Sequence, residues 1–383
     1  MTGSRSSHGL LRGVFACALA LACVTPTRVA HALSDPWIEE APAAMVCDQA
    51  GNELWSRNAE EELAPASITK VMTAMVALDS GYGLDDRCFI TEHEFSLGAQ
   101  LAGYVATDTP TMRELLQATL IYSGNDAALN VAINVAGSEE AFVNLMNQKT
   151  QELGMTHTHW ANPHGLEEEG HYTCVRDLVI MGRYAMEHYP FIAETVHMRG
   201  VELLINGSYL WLESTDDLME TYEGLLGIKT GAVESGYTFL GASQRSGVSL
   251  YTAVLGCDTD EGRFADTAAL MDWGYENFSG RTFGRKGWVV RMAPYALGFA
   301  ARTQVTLPSD QVAHSWPTGS ITYRTISVSP DVALDRAMPF GAIWWRQSSR
   351  LCGASLTHVD ETLTQAPALN ILSQPLFSDQ TGA

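Results

Sequence analysis

Lysine is scarce in this chain: of 23 basic residues only Lys70, Lys149, Lys229 and Lys286 are lysines, and the other 19 are arginines. Basic charge of any kind is outnumbered, with 44 acidic residues giving a formal net charge of −21. Phosphate backbones need a basic face, so nucleic acid is excluded as a partner. After Arg350 there is neither Lys nor Arg, which argues against a basic amphipathic membrane anchor at the C-terminus. The apolar run Val14–Val24 has eleven residues, whereas a bilayer-spanning helix needs about 20. Two of the seven cysteines, Cys17 and Cys23, precede residue 33, leaving Cys47, Cys88, Cys174, Cys257 and Cys352. Five is odd and no C-x-x-C pair occurs, so the spacing supports neither a zinc site nor a disulfide framework. Cys47 and Cys257 read instead as small buried residues. Internal repeats and low-complexity tracts are missing as well, and nothing in the sequence fixes an oligomeric state.

What is present begins with a leader. Arg5 and Arg12 precede the run "VFACALALACV", and "AHA" closes at Ala32. This is the pattern of a secretory signal, residues 1–32, cleaved after Ala32, and it implies an exported, extracytoplasmic protein. A lipid-modified Cys23 fits less well, because Ala20 stands where such signals usually carry leucine. Removing the leader takes away three arginines and no acids, so the mature charge is 20 − 44 = −24.

A chain of 383 residues is long enough for two domains, and the composition changes at "SGRTFGRKG", residues 279–287, which reads as a linker. We therefore expect an α+β domain over 33–278 and a small β-rich domain over 279–383, ending in a polar tail. The first domain should open with short strands around a turn at Ala50–Asn52, "AAMVC" being buried. Helical spacing predicts a helix from Ser67 to Leu78, with Ile68, Val71, Met72, Met75 and Val76 inward. A capping box at Thr111 and Glu114 opens another through Ile121, followed by helices over Asp126–Ala136 and Glu139–Leu153. "LLGIKTG", "GYTFLGAS" and "VSLYTAVLGC" read as an antiparallel run of three strands, and "FADTAALMDWGYENF" as a helix. In the second domain "GWVVRMA", "TQVTLP", "SITYRTISV" and "AIWWRQ" read as strands.

Three short motifs carry the chemistry: S-I-T-K at 67–70, S-G-N at 123–125 and K-T-G at 229–231. Serine and lysine three apart share a helix face, so the amine lies within reach of a hydroxyl that is inert at its own pKa. At a helix N-terminus the backbone N–H of Ser67 can receive a developing oxyanion. Lys229 brings a second positive charge into the same cleft, and two ammonium groups disfavour each other's charged form, which would free Lys70 to act as base. Ser123 can relay a proton to a leaving amine, and Asn125 can hold a substrate amide. Gly231 would let a substrate strand lie against the K-T-G strand. Each motif alone admits a plain structural role, Ser123 as a helix cap, Asn125 as a turn residue and Lys229 as a solvated strand residue. Their joint occurrence in this order is what makes a catalytic reading specific.

The motif set resembles that of the penicillin-binding proteins and serine β-lactamases. More closely, "PASITKVMTAMVAL", "YSGNDAALNVA", "WANPHGLEEEGHYTCVRDL", "GLLGIKTGAVESGYTFLGAS" and "LGCDTDEGR" resemble the low-molecular-mass D-alanyl-D-alanine carboxypeptidases over residues 40–278. The resemblance implies a β-lactamase/transpeptidase-like fold, an antiparallel sheet with helices and a helical subdomain. It further implies Ser67 as the acylated serine, Lys70 as its base and Ser123 completing the catalytic set. Asn125, Lys229, Thr230, Gly231 and Arg263 would bind substrate, and the N–H groups of Ser67 and Ala232 would form the oxyanion hole. Arg263 would receive a terminal carboxylate, which a guanidinium can grip through two hydrogen bonds. The substrate would be the peptidoglycan stem pentapeptide, β-lactam antibiotics would act as inhibitors, and neither a metal nor an organic cofactor is implied. His157, His159 and His164 lack an H-E-x-x-H pattern, so a zinc peptidase is disfavoured and His164 is expected in a loop bordering the site. Two alternatives share the motifs: a serine β-lactamase, against which the missing E-x-x-L-N glutamate counts, and a catalytically silent penicillin-binding sensor.

Overall fold

Residues 43–48 are buried throughout, and a strand buried on both faces belongs inside a sheet. In the computed structural model, which describes residues 34–294, 301–316, 321–327, 341–347, 350–365 and 381–382, that is where they lie. The residues read as the leader fall outside the described set. In chain order the first strands are β1 (Ala43–Asp48), β2 (Glu53–Arg57), β3 (Gly200–Ile205), β4 (Ser208–Glu213), β5 (Leu225–Val233), β6 (Gly236–Arg245) and β7 (Val248–Cys257). Five of them form an antiparallel sheet in the order β2-β1-β7-β6-β5, and β3 and β4 form a separate hairpin. The K-T-G motif thus lies on β5, an edge strand of the main sheet.

The helices are α1 (Thr69–Asp79), α2 (Met112–Leu120), α3 (Asn125–Ala136), α4 (Glu139–Leu153), α5 (Val175–His188), α6 (Pro190–Thr195), α7 (Leu218–Thr221) and α8 (Asp260–Glu276). Leu240 of β6 faces Gly182 of α5, whereas the next residue, Gly241, faces Met271 of α8. Since side chains alternate along a strand, α5 and α8 cover opposite faces of the sheet. The core gathers Val71, Met72 and Met75 of α1, Leu115 and Leu116 of α2, Phe142 of α4, Leu178 of α5 and Leu240 of β6. Local chemistry explains the ends. Thr111 and Glu114 form the anticipated reciprocal cap of α2, Ser138 caps α4 through the Ala141 amide, and Gly137 and Gly154 end α3 and α4 in the left-handed conformation.

Some boundaries differ from the sequence reading. Residues 66–68 form a single 3-10 turn before α1, so Ser67 sits in that turn and Lys70 in the first turn of the α-helix. Asn125 is the first residue of α3. The stretch read as a linker contains a strand, β8 (Ser279–Gly284), paired with β11 (Gln311–Ser315). The remaining strands, β9 (Val289–Pro294), β10 (Ala301–Thr306), β12 (Ile321–Ser327), β13 (Gly341–Gln347), β14 (Arg350–Gln365) and β15 (Thr381–Gly382), form a sheet in the order β15-β12-β13-β14-β10-β9. Among the described residues no helix is long and apolar enough to cross a membrane.

Candidate active site

Pro65 and Ala66 set up the turn that presents Ser67. Ala66 has φ +50, a left-handed conformation costing a non-glycine residue on the order of 1–2 kcal/mol. Neighbours hold it there. Its carbonyl oxygen accepts the Thr69 hydroxyl at 2.7 Å, and Thr69 Oγ1 is 2.9 Å from His171 Nε2. Because the Ala161 N–H donates to His171 Nδ1 at 2.9 Å, the imidazole proton resides on Nε2 and is given to Thr69. Burial, then His159 and Lys70, lowers the His171 pKa to about 4, which keeps the ring neutral. From the other side Gly165, with φ +91, packs so tightly that a Cβ there would lie 2.5 Å from the Ala66 carbonyl carbon and 2.9 Å from Ser67 N.

Lys70 is completely buried, and its Nζ has three neighbours: Ser67 Oγ at 2.8 Å, Asn125 Oδ1 at 2.7 Å and the His164 carbonyl at 2.5 Å. Two of these are carbonyl oxygens that can only accept. A neutral amine has two N–H donors and one lone pair, so it satisfies both carbonyls and still accepts the Ser67 hydroxyl proton. The Lys70 pKa is lowered well below that of a free lysine, first by burial and second by Lys229. The charge repulsion anticipated from sequence is therefore the lesser cause.

The strand that faces this turn is β5. A Cβ on Gly231 would stand 2.7 Å from Ala66 Cβ and 2.9 Å from Ser67 N, so only glycine permits the approach. Lys229 is 1% exposed, and its pKa falls to about 7 through burial and then Arg263, with Asp216 opposing. It is not a solvated strand residue. Thr230 Oγ1 shares a 2.5 Å hydrogen bond with Thr215 Oγ1. Arg263, in the first turn of α8, is 6% exposed; it donates to the Gly231 carbonyl at 2.7 Å and pairs with Asp260. Its guanidinium carbon also lies 4.7 Å from the Phe264 ring centre. Ala232, next along β5, is exposed.

Ser123 adopts φ +68 and is buried in the turn between α2 and α3. Asp126 secures that turn by accepting the amides of Ala102, Gly103 and Tyr104 at 2.7, 2.8 and 3.1 Å. Of the nine predicted positions, Lys70 meets Ser67 and Asn125, Gly231 packs against Ser67 and Arg263 binds the Gly231 carbonyl, while Lys229, Thr230 and Ala232 flank Gly231 on β5 and Ser123 lies two residues before Asn125. The three tempting histidines do not converge. His157 pairs with Glu62, His159 Nδ1 is 2.7 Å from the Gly170 carbonyl, and His164 stacks edge-on against Phe95. His164 is loop-borne, as expected, and offers its carbonyl to Lys70. Sequence reasoning passed over His171, Gly165, Thr215 and Asp216; the one signal for Gly165 was its place in "NPHGL".

The fold is that of penicillin-binding proteins. Penicillin-binding protein 5 from Haemophilus influenzae superposes with a TM-score of 0.63 at 22% identity, covering 87% of this chain and 99% of that one. Penicillin-binding protein D2 from Listeria monocytogenes, solved with cefotaxime bound, gives a TM-score of 0.58 at 30% identity, covering 63% of this chain and 99% of that one. Residues 30–259 match the peptidase S11 family, described as D-alanyl-D-alanine carboxypeptidase, and the chain belongs to that family. The carboxypeptidase DacF of Bacillus subtilis is 32% identical over 245 residues, which are 62% of this chain and 63% of that protein's length.

Proposed function

We propose that this protein is a serine D-Ala-D-Ala carboxypeptidase. The observation that carries the reading is the Lys70 amine, buried, 2.8 Å from Ser67 Oγ and matched on its other side by two obligate acceptors. Lys70 takes the Ser67 proton as Oγ attacks the carbonyl carbon between the last two D-alanines of a peptidoglycan stem peptide. The tetrahedral oxyanion is held by the Ser67 and Ala232 N–H groups. As the C–N bond breaks, the proton passes by way of Ser123 to the leaving amine, and D-alanine departs. Water then hydrolyses the ester on Ser67. Asn125, Thr230 and Gly231 align the peptide along the open edge of β5, while Lys229 and Arg263 attract the terminal carboxylate that marks an exopeptidase substrate.

β-Lactams present the same carbonyl and carboxylate, so they acylate Ser67 and inhibit. The listerial relative's cefotaxime-bound form supports this. We further read residues 1–32 as a leader cleaved after Ala32, placing the enzyme outside the cytoplasmic membrane. Residues 279–383 are read as a β-rich domain, supported by strands that pair only with one another among the described residues.

The deciding assay incubates the mature protein with a stem peptide ending in D-Ala-D-Ala and measures D-alanine, with Ser67→Ala as control and penicillin hydrolysis in parallel. Release that vanishes in the control, with penicillin bound but scarcely turned over, is the expected result. Rapid penicillin turnover without D-alanine would make the protein a β-lactamase, and silence in both assays a sensor.

A further inference from the structure

We propose that Asp216 is a positioning residue of this site, the buried counter-ion that keeps Lys229 charged for the substrate carboxylate while Lys70 stays neutral. The inference rests on the carboxypeptidase reading. Asp216 lies between β4 and α7 and is 8% exposed, yet neither carboxylate oxygen completes a hydrogen bond. A carboxylate withdrawn from water without a partner is costly, so charge nearby must compensate. The chain places it beside such charge. Its neighbour Thr215 is hydrogen-bonded to Thr230 at 2.5 Å, next to Lys229, and the Thr215 N–H donates to the Ile121 carbonyl at 3.3 Å, two residues before Ser123. The segment is thereby stitched between the S-G-N turn and the K-T-G strand.

Two positive groups act on the Asp216 carboxylate, Lys229 of β5 and Arg263 of α8. The amides of Leu218 and Met219 also lie near enough to favour its charged form. Beyond them, Lys70 feels Lys229 and Asp126, and Arg263 feels Asp260, Asp217 and Tyr237. Burial raises the Asp216 pKa to about 6, so the group is anionic at pH 7 and above. Lys229, at about 7, is pushed down by burial and Arg263 and pushed up by Asp216. Two lysines sharing one dry cleft must hold different charges for this chemistry, and Asp216 supplies the asymmetry: it pulls on Lys229, whereas the charges that act on Lys70 are Lys229 and Asp126.

With only four lysines, a protein labelled with 13C-lysine gives four resolvable sets of side-chain signals. Lys229 is assigned by its disappearance in Lys229→Arg and titrated in the wild type, Asp216→Asn and Asp216→Glu. In parallel, kcat/KM for D-alanine release is followed from pH 5 to 10. Removing one opposite charge should lower the Lys229 midpoint by about one pH unit. The alkaline limb of kcat/KM should move with it, giving a roughly fivefold loss at pH 7 and little loss near pH 5.5. Asp216→Glu should restore both. A Lys229 midpoint unmoved in Asp216→Asn, whether activity is unchanged or lowered equally at every pH, overturns the proposal. If the wild type releases no D-alanine while the midpoint still falls, the counter-ion stands and the carboxypeptidase reading fails.

Discussion

Replacing Gly165 by alanine tests how tightly the nucleophile turn is clamped. The added Cβ would lie 2.5 Å from the Ala66 carbonyl carbon and 2.9 Å from Ser67 N, where carbon atoms ordinarily keep about 3.5–4.0 Å. Both are backbone atoms, so no side chain can swing aside, and a displacement of about 1 Å must be shared between the two loops. The left-handed φ of +91 adds strain of about 1–2 kcal/mol, making a total loss of stability of about 2–4 kcal/mol. Activity should suffer more than stability. The adjacent His164 carbonyl holds Lys70 Nζ at 2.5 Å, so moving the loop moves the base relative to Ser67. A misplacement of about 1 Å costs about 100-fold in rate, or about 2.7 kcal/mol of barrier. Stopped-flow acylation by a fluorescent penicillin, run well below the variant's melting temperature, reads the rate without the deacylation step. Acylation within twofold of wild type would refute the claim that this contact sets the geometry of the serine.

Three other substitutions probe separate parts of the argument. Lys70→Arg keeps the positive charge but offers no lone pair, so acylation should fall by about 10²–10⁴; near-normal turnover would show that Lys70 is not the base. Lys229→Met bears on pH. The folded Lys229 value, about 7, lies below the free value of 10.5, so between them the unfolded chain binds more protons and wild-type stability rises with pH. The variant should therefore exceed wild type by on the order of a few kcal/mol near pH 6, and the gain should shrink toward pH 10 in denaturant titrations; a gain growing with pH would contradict the assignment. Asp266 of α8, 3% exposed, accepts the amides of Glu39, Glu40 and Ala41 at 2.8, 2.9 and 2.7 Å. Asp266→Ala strands those donors and should cost about 2–4 kcal/mol in urea unfolding, and an unchanged midpoint would mean that water replaces the carboxylate freely.

Several pieces of this protein are legible without coordinates because their causes are local. The cap of α2 needs only Thr111 and Glu114 three residues apart, and the turns between β5, β6 and β7 follow from Gly236 and Gly247. Ser67 and Lys70 meet because one helical turn separates them. The order of the three motifs is equally a property of the chain, and it pointed to Ser67, Lys70, Ser123, Asn125 and Lys229, whereas Arg263 and Ala232 were named from the family resemblance. Helix α5 was passed over although Val175, Leu178, Val179 and Gly182 recur at helical spacing, and β8 was hidden because glycine and arginine in "SGRTFG" read as linker.

Tertiary structure alone decided the rest. Lys229 reaches Ser67's side of the molecule across 162 residues only because β5 is the sheet edge facing the 3-10 turn. Gly165 matters because a distant loop is driven against Ala66, and His171 because the Ala161 N–H occupies Nδ1 and leaves the ring proton on Nε2. The lowering of the Lys70 pKa comes more from desolvation than from Lys229, and desolvation is a property of the assembled core. Asp216 looks like one of two adjacent surface acids until folding removes it from water beside a lysine and an arginine. Residue type and short spacing are written along the chain, whereas burial and the meeting of charges depend on which remote elements pack together, and it is these that set the pKa values on which the chemistry turns.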